Sequence, residues 1–156
     1  MDKLGHFKAF MQNVHYFDRL INIRQRLPQR YAPDVLLYAS EADLLAEIGA
    51  HEPITATELA RLKISTPSAI SQIVKKLDSK GLLLKDTHDG NRKTIYLQLS
   101  EEGHKVYEAH RLQEEQRYRT YLEVLEHYTP EDIEKAAALI DFLSEKYLEE
   151  FKALDM

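Results

Sequence analysis

Apolar side chains recur every three or four residues from the start of the chain. Leu4, Phe7, Phe10, Met11, Val14, Phe17, Leu20, Ile21 and Leu27 form one broad stripe. That spacing predicts a long amphipathic helix ending near Pro28, because proline restricts the residue before it. Ser40-Glu-Ala-Asp43 reads as a cap opening a short helix with Leu44, Leu45 and Ile48 inward, stopping before Pro53. Thr55-Ala-Thr-Glu58 has the form of a capping box, a hydroxyl with a carboxylate three residues on. Thr66-Pro67 announces the next helix, with Thr66 capping and Pro67 at the first helical position. In that helix Ile70, Ile73, Val74 and Leu77 should face inward, and Gly81 offers a left-handed stop.

The pattern then changes period. Leu82-Leu-Leu-Lys-Asp86 is a short apolar strand, and Thr94 to Leu99 alternates strictly, with Ile95, Leu97 and Leu99 on one face. Between them Asp89, Gly90 and Asn91 supply turn chemistry, followed by Arg92 and Lys93. Beyond the hairpin Ser100-Glu-Glu opens a long helix through about Tyr128. Thr129-Pro-Glu-Asp132 opens a last one with the stripe Ile133, Ala136, Ala137, Ile140, Leu143, Tyr147 and Phe151. The predicted fold is mainly α with a small β-hairpin wing, a winged helix-turn-helix framed by N- and C-terminal helices.

Opposite the apolar side of the Thr66–Gly81 helix lies a polar stripe of Ser68, Ser71, Gln72 and Lys75, with Lys76 and Lys80 extending its basic character. Short polar and cationic side chains near a helix N-terminus suit base edges and phosphates in a major groove. A cation-tipped hairpin directly after such a helix suits the neighbouring backbone or minor groove. Residues 61–93 carry eight Lys and Arg against three Asp, a local charge of +5 within a chain of net −5. One basic segment in an acidic chain is what local phosphate contact requires. The expected DNA contacts are Thr66, Ser68, Ser71, Gln72, Lys75, Lys76, Arg92 and Lys93.

The 156 residues include no cysteine, which excludes disulfides and thiolate metal sites. No apolar run approaches the roughly 20 residues needed to cross a bilayer, and the start lacks a signal-peptide pattern, so a cytoplasmic address is expected. No Gly-rich phosphate loop, nucleophile motif or compact acid–base pair points to an enzyme, and no cofactor is implied. Residues 40–99 are expected to form the DNA-binding domain. Residues 1–39 and 100–156 carry apolar stripes beyond what that domain needs, and a second copy of the chain would bury them. A two-fold dimer would set two reading helices about 34–36 Å apart, one DNA turn.

The run Glu58-Leu-Ala-Arg-Leu62, the segment from Ile64 to Leu84 and the segment from Asn91 to Ser100 resemble the MarR family of bacterial transcriptional regulators. The resemblance implies a homodimer on a pseudo-palindromic operator, usually a repressor, released by a small phenolic, lipophilic or metal ligand. The family's wing usually carries Asp-x-Arg, where this chain has Asn91-Arg92-Lys93. Lysine is a point charge without arginine's planar fork, so Lys93 should read groove shape less well. Arg92 substitutes for it, or Asp89 takes the anchoring role in a turn one residue longer.

For a small-molecule effector the family pocket points to His15, Tyr16 and Tyr38, whose ordinary role would be packing. A zinc-responsive regulator is the alternative. His104 and Glu108 stand four apart on one helical face, as do His110 and Glu114, and Glu41 or His51 could add a ligand. Such pairs also arise on any acidic, solvated helix. A winged-helix interaction scaffold that has lost DNA binding is the remaining reading. Such a scaffold would be free to carry apolar or acidic residues at 68, 71, 72 and 75, and this chain does not.

Overall fold

The computed structural model describes residues 2–87 and 94–153. Among them the order of elements is α1 (Lys3–Gln25), β1 (Gln29–Ala32), β2 (Val35–Leu37), α2 (Ala39–His51), β3 (Ile54–Thr55), α3 (Ala56–Leu62), α4 (Pro67–Ser79), β4 (Leu83–Asp86), β5 (Tyr96–Leu99), α5 (Glu101–Val124) and α6 (Pro130–Ala153). The mainly helical winged-helix architecture is the expected one. The described chain divides into two compact units, one up to Glu114 and one from Glu115 onward.

In the first unit one apolar core joins α2, α3, α4, the wing strands and the start of α5. Leu44, Leu45 and Ile48 meet Leu59, Ile70, Val74 and Leu77, with Leu82, Leu97, Leu99 and Val106 closing the far side. Each is nearly or fully withdrawn from water, contributing roughly 1.5–3 kcal/mol per large side chain. The inward set foreseen for α4 is buried apart from Ile73, which packs on the core half-covered. The capping box at α3 forms as read: Thr55 Oγ1 accepts from Glu58 N at 3.3 Å, and Glu58 Oε2 accepts from Thr55 N at 2.8 Å.

Several expectations need correction. Helix α2 begins at Ala39 and is capped at Tyr38 rather than Ser40, because Glu41 folds back to accept from Tyr38 N at 3.1 Å. Helix α5 ends at Val124, short of Tyr128; Leu125 and Tyr128 donate to carbonyls three residues back, which tightens the chain out of the α ladder ahead of Pro130. Ile95 lies before β5 and is exposed, since the ladder ends at the Asp86–Tyr96 pair.

Two elements have no counterpart in the sequence reading. Residues 29–37 form an antiparallel hairpin, with Gln29 opposite Leu37 and Arg30 opposite Leu36. The wing is three-stranded, in the order β3-β5-β4, because Ile54 and Thr55 pair with Leu97 and Tyr96. Two positions further along that ladder Glu52 supplies a side chain instead of backbone. Its Oε2 accepts from Leu99 N at 2.6 Å, and its Oε1 lies 3.2 Å from His104 Nε2 on α5.

Neither α1 nor α6 has a buried residue. Phe7, Phe17, Leu20 and Ile21 on α1, and Ile133, Ile140, Tyr147 and Phe151 on α6, are exposed. No described helix is long and apolar enough to cross a membrane.

Candidate nucleic-acid interface

Helix α4 presents two opposed faces. Thr66 caps it, accepting from Ala69 N at 3.2 Å, and Pro67 opens it. Ile70, Val74 and Leu77 anchor one side in the core, and this fixes the rotation of the other. Ser68, Ser71, Gln72, Lys75 and Lys76 all fall on the exposed side. The structure therefore brings six of the eight expected contact residues, Thr66 included, onto one solvent-facing helix and its cap. Arg92 and Lys93, with Asp89 and Asn91, lie outside the described residues.

The cations around this face are not equivalent. Lys80 Nζ lies 2.7 Å from Glu41 Oε2 and donates to Leu36 O at 2.9 Å, so it is drawn away from solvent. Lys76 Nζ stands 4.0 Å from Glu41 Oε1 while its side chain remains 63% exposed. Lys85 is paired with Asp78 at 2.5 Å and Lys63 with Glu47 at 3.6 Å. Among the described residues Lys75 has no such ion pair, which leaves it the cation on α4 with its charge fully offered to solvent. Glu41 and Glu47, outside residues 61–93, offset part of the +5 read from the sequence, so the charge available to a phosphate backbone is smaller.

The candidate metal and effector residues are not gathered into one site. Glu41, 2% exposed, is committed to Lys80 and Tyr38 N. His104 faces Glu52, and Glu108 accepts from Arg111 Nε at 3.1 Å. Among the described residues no group of three or more His, Asp or Glu side chains is placed to hold an ion. His15 lines an open groove along α1 with Leu4, Phe7, Met11 and Arg19, whereas Tyr16 lies under the Arg19 guanidinium, 5.7 Å from ring centroid to Cζ. Tyr38 stands at the head of α2, outside that groove.

A separate polar cluster joins α2 to α5. His110 Nε2 lies 4.0 Å from Asp43 Oδ1, and the His110 ring packs on Tyr31 of β1 at 5.5 Å. Burial raises the Asp43 pKa above its ordinary 3.8, against the opposing pull of Lys63 and His110. The sequence reading missed Glu52, Gln113 and the Glu41–Lys80 pair. No local pattern marks them, since each contact spans 39 or more positions.

Residues 37–95 match the MarR family, a span that runs from the last residue of β2 through α2, β3, α3 and α4 to β4. The match covers 59 of the chain's 156 residues. The HTH-type transcriptional regulator YhjH of Bacillus subtilis is 29% identical over 111 residues, covering 71% of this chain and 63% of YhjH. The chain thus matches just under two thirds of that relative's length. Among solved structures, FabT of Streptococcus pneumoniae in complex with DNA superposes with a TM-score of 0.68 at 15% identity, covering 96% of this chain and 99% of FabT. The zinc-responsive MarR family member ZitR of Lactococcus lactis superposes with a TM-score of 0.67 at 18% identity, covering 90% and 97%. At these identities the likeness to these solved structures is one of fold.

Proposed function

We propose that this protein is a sequence-specific DNA-binding transcriptional regulator that acts as a homodimer on a pseudo-palindromic operator and is not an enzyme. The carrying observation is helix α4: its apolar side is locked in the core, and its exposed side is an unbroken run of Ser68, Ser71, Gln72 and Lys75. Thr66 and the N-terminal turn supply backbone N–H groups to a phosphate, Ser71 and Gln72 reach base edges, and Lys75 neutralises the backbone. Arg92 and Lys93 are assigned to the wing contact from the sequence alone. The likeness in fold to FabT, solved with DNA, is consistent with this reading.

In this proposal residues 40–99 are the reader, and residues 1–39 and 100–156 join two copies. The exposed apolar side chains of α1 and α6 support that division, since patches of this kind mark association surfaces. Repression and release by a small effector follow from the family resemblance. His15, on the open α1 groove, is the effector candidate that a described surface supports best.

The test is fluorescence anisotropy on the DNA upstream of the protein's own gene and on genome-selected fragments, with excess nonspecific competitor. Saturable, salt-sensitive binding at one dimer per site is the expected result. Failure to prefer any fragment over competitor overturns the regulator reading in favour of a winged-helix scaffold.

A further inference from the structure

The β1–β2 hairpin touches both the reading helix and α5 through the same pair of residues. Arg30 and Leu36 are cross-strand partners. The Leu36 carbonyl accepts from Lys80 Nζ, at the C-terminal end of α4, at 2.9 Å. The Arg30 carbonyl accepts from Gln113 Nε2, on α5, at 3.3 Å. A two-stranded hairpin leaves the outward backbone groups on both sides without ladder partners, and here two of them are taken by side chains from different helices. Each attachment is reinforced. On the α4 side Glu41 accepts from Lys80 at 2.7 Å while holding Tyr38 N, immediately after β2. On the α5 side Tyr31 packs its ring on His110, one turn before Gln113.

We propose that the β1–β2 hairpin is a strut that sets the position of α4 against α5, with Lys80 and Gln113 as its positioning residues. The core holds α4 by its apolar stripe of Ile70, Val74 and Leu77, and the hairpin adds a polar hold beyond it. Lys80 supplies an axial hold at the helix's last turn. Its ammonium is occupied by Glu41 and the Leu36 carbonyl, so Lys80 acts on DNA through the placement of Ser71, Gln72 and Lys75 rather than by touching phosphate. A displacement of α5 at Gln113 would be passed across one strand pair to the end of α4. The DNA consequence rests on the regulator reading; the strut itself does not.

The experiment uses the full chain and two readouts. Hydrogen exchange in the DNA-free protein should accelerate at least fivefold across residues 76–80 in Gln113→Leu, although residue 113 lies outside α4, and across residues 29–37 in Lys80→Met. Lys80→Arg, which keeps a charged donor, should restore near-wild-type protection. Exchange in α4 that ignores Gln113→Leu overturns the strut. On DNA, Lys80→Met should lower the ratio of specific to nonspecific affinity at least fivefold and leave the salt dependence of nonspecific binding unchanged. A salt slope flatter by about one unit would make Lys80 a phosphate contact and overturn its positioning role. If wild-type protein prefers no sequence, the regulator reading fails, and the exchange result still decides the strut.

Discussion

Ile64 and Gly81 occupy the same position in two copies of one helix-ending motif. After α3, Ile64 N donates to Arg61 O at 3.3 Å and Ser65 N to Ala60 O at 2.9 Å; after α4, Gly81 N donates to Asp78 O at 2.9 Å and Leu82 N to Leu77 O at 3.1 Å. Both are Schellman endings, which need a left-handed residue after the cap. Gly81 has φ +70, and Ile64 has φ 47. A β-branched residue is strained there where glycine is not. Ile64 is 73% exposed, so little packing offsets the strain. Ile64→Gly should therefore stabilise the chain by about 1 kcal/mol, and Gly81→Ala should destabilise it by a similar amount. Urea denaturation checks both, and a loss of stability in Ile64→Gly would contradict the strain.

Gly103 answers to a different constraint. A Cβ there would stand 2.1 Å from the Leu82 carbonyl oxygen. That carbonyl also accepts from Ser100 N at 3.1 Å, so the contact is backbone held at the start of α5 and cannot rotate away. Gly103→Ala should cost about 3 kcal/mol, the upper end for overpacking, and should lower the thermal midpoint accordingly. Retention of wild-type stability would mean that α5 shifts freely against the wing.

Two carboxylates should carry pH dependence of opposite sign. The Glu58 pKa is lowered from its ordinary 4.5, first by the Thr55 hydroxyl and then by the Thr55 N–H that it accepts. Its stabilising contribution is therefore present above pH 4.5 and is lost as pH falls through the folded-state value. Asp43 is raised from 3.8 by burial, so its contribution is fully present below pH 3.8 and is lost as pH rises through the folded-state value. Stability curves against pH should show Glu58→Gln weaker than wild type at pH 7 and converging with it in acid. Asp43→Asn should be no weaker than wild type at pH 7.

On DNA, Lys75→Ala should weaken binding to all sequences alike and flatten the salt slope by about one unit. Gln72→Ala should instead change which base is preferred, at a cost of about 1–3 kcal/mol on the cognate site. Binding selections at two salt concentrations separate these outcomes. A sequence-selective effect of Lys75→Ala would move that residue from phosphate to base contact.

The sequence by itself determined what depends on neighbours a few positions apart. The caps at Thr55 and Thr66, the stop at Gly81 and the division of α4 into an apolar and a polar face rest on helical spacing and backbone hydrogen bonding, and all are present in the structure. The hairpin at 29–37 escaped because its strands are three and four residues long and carry no Asn-Gly or Asp-Gly turn signal. Only the tertiary structure decided which cations remain available. Lys80 looked like one more basic residue beside the reading face, yet Glu41, 39 positions earlier, binds it. The same holds for Glu52, whose carboxylate stands in for a strand opposite Leu99, 47 positions away. Charge and hydrogen-bonding capacity are written in the residue type; whether either is used inside the protein depends on what the fold brings within about 3 Å.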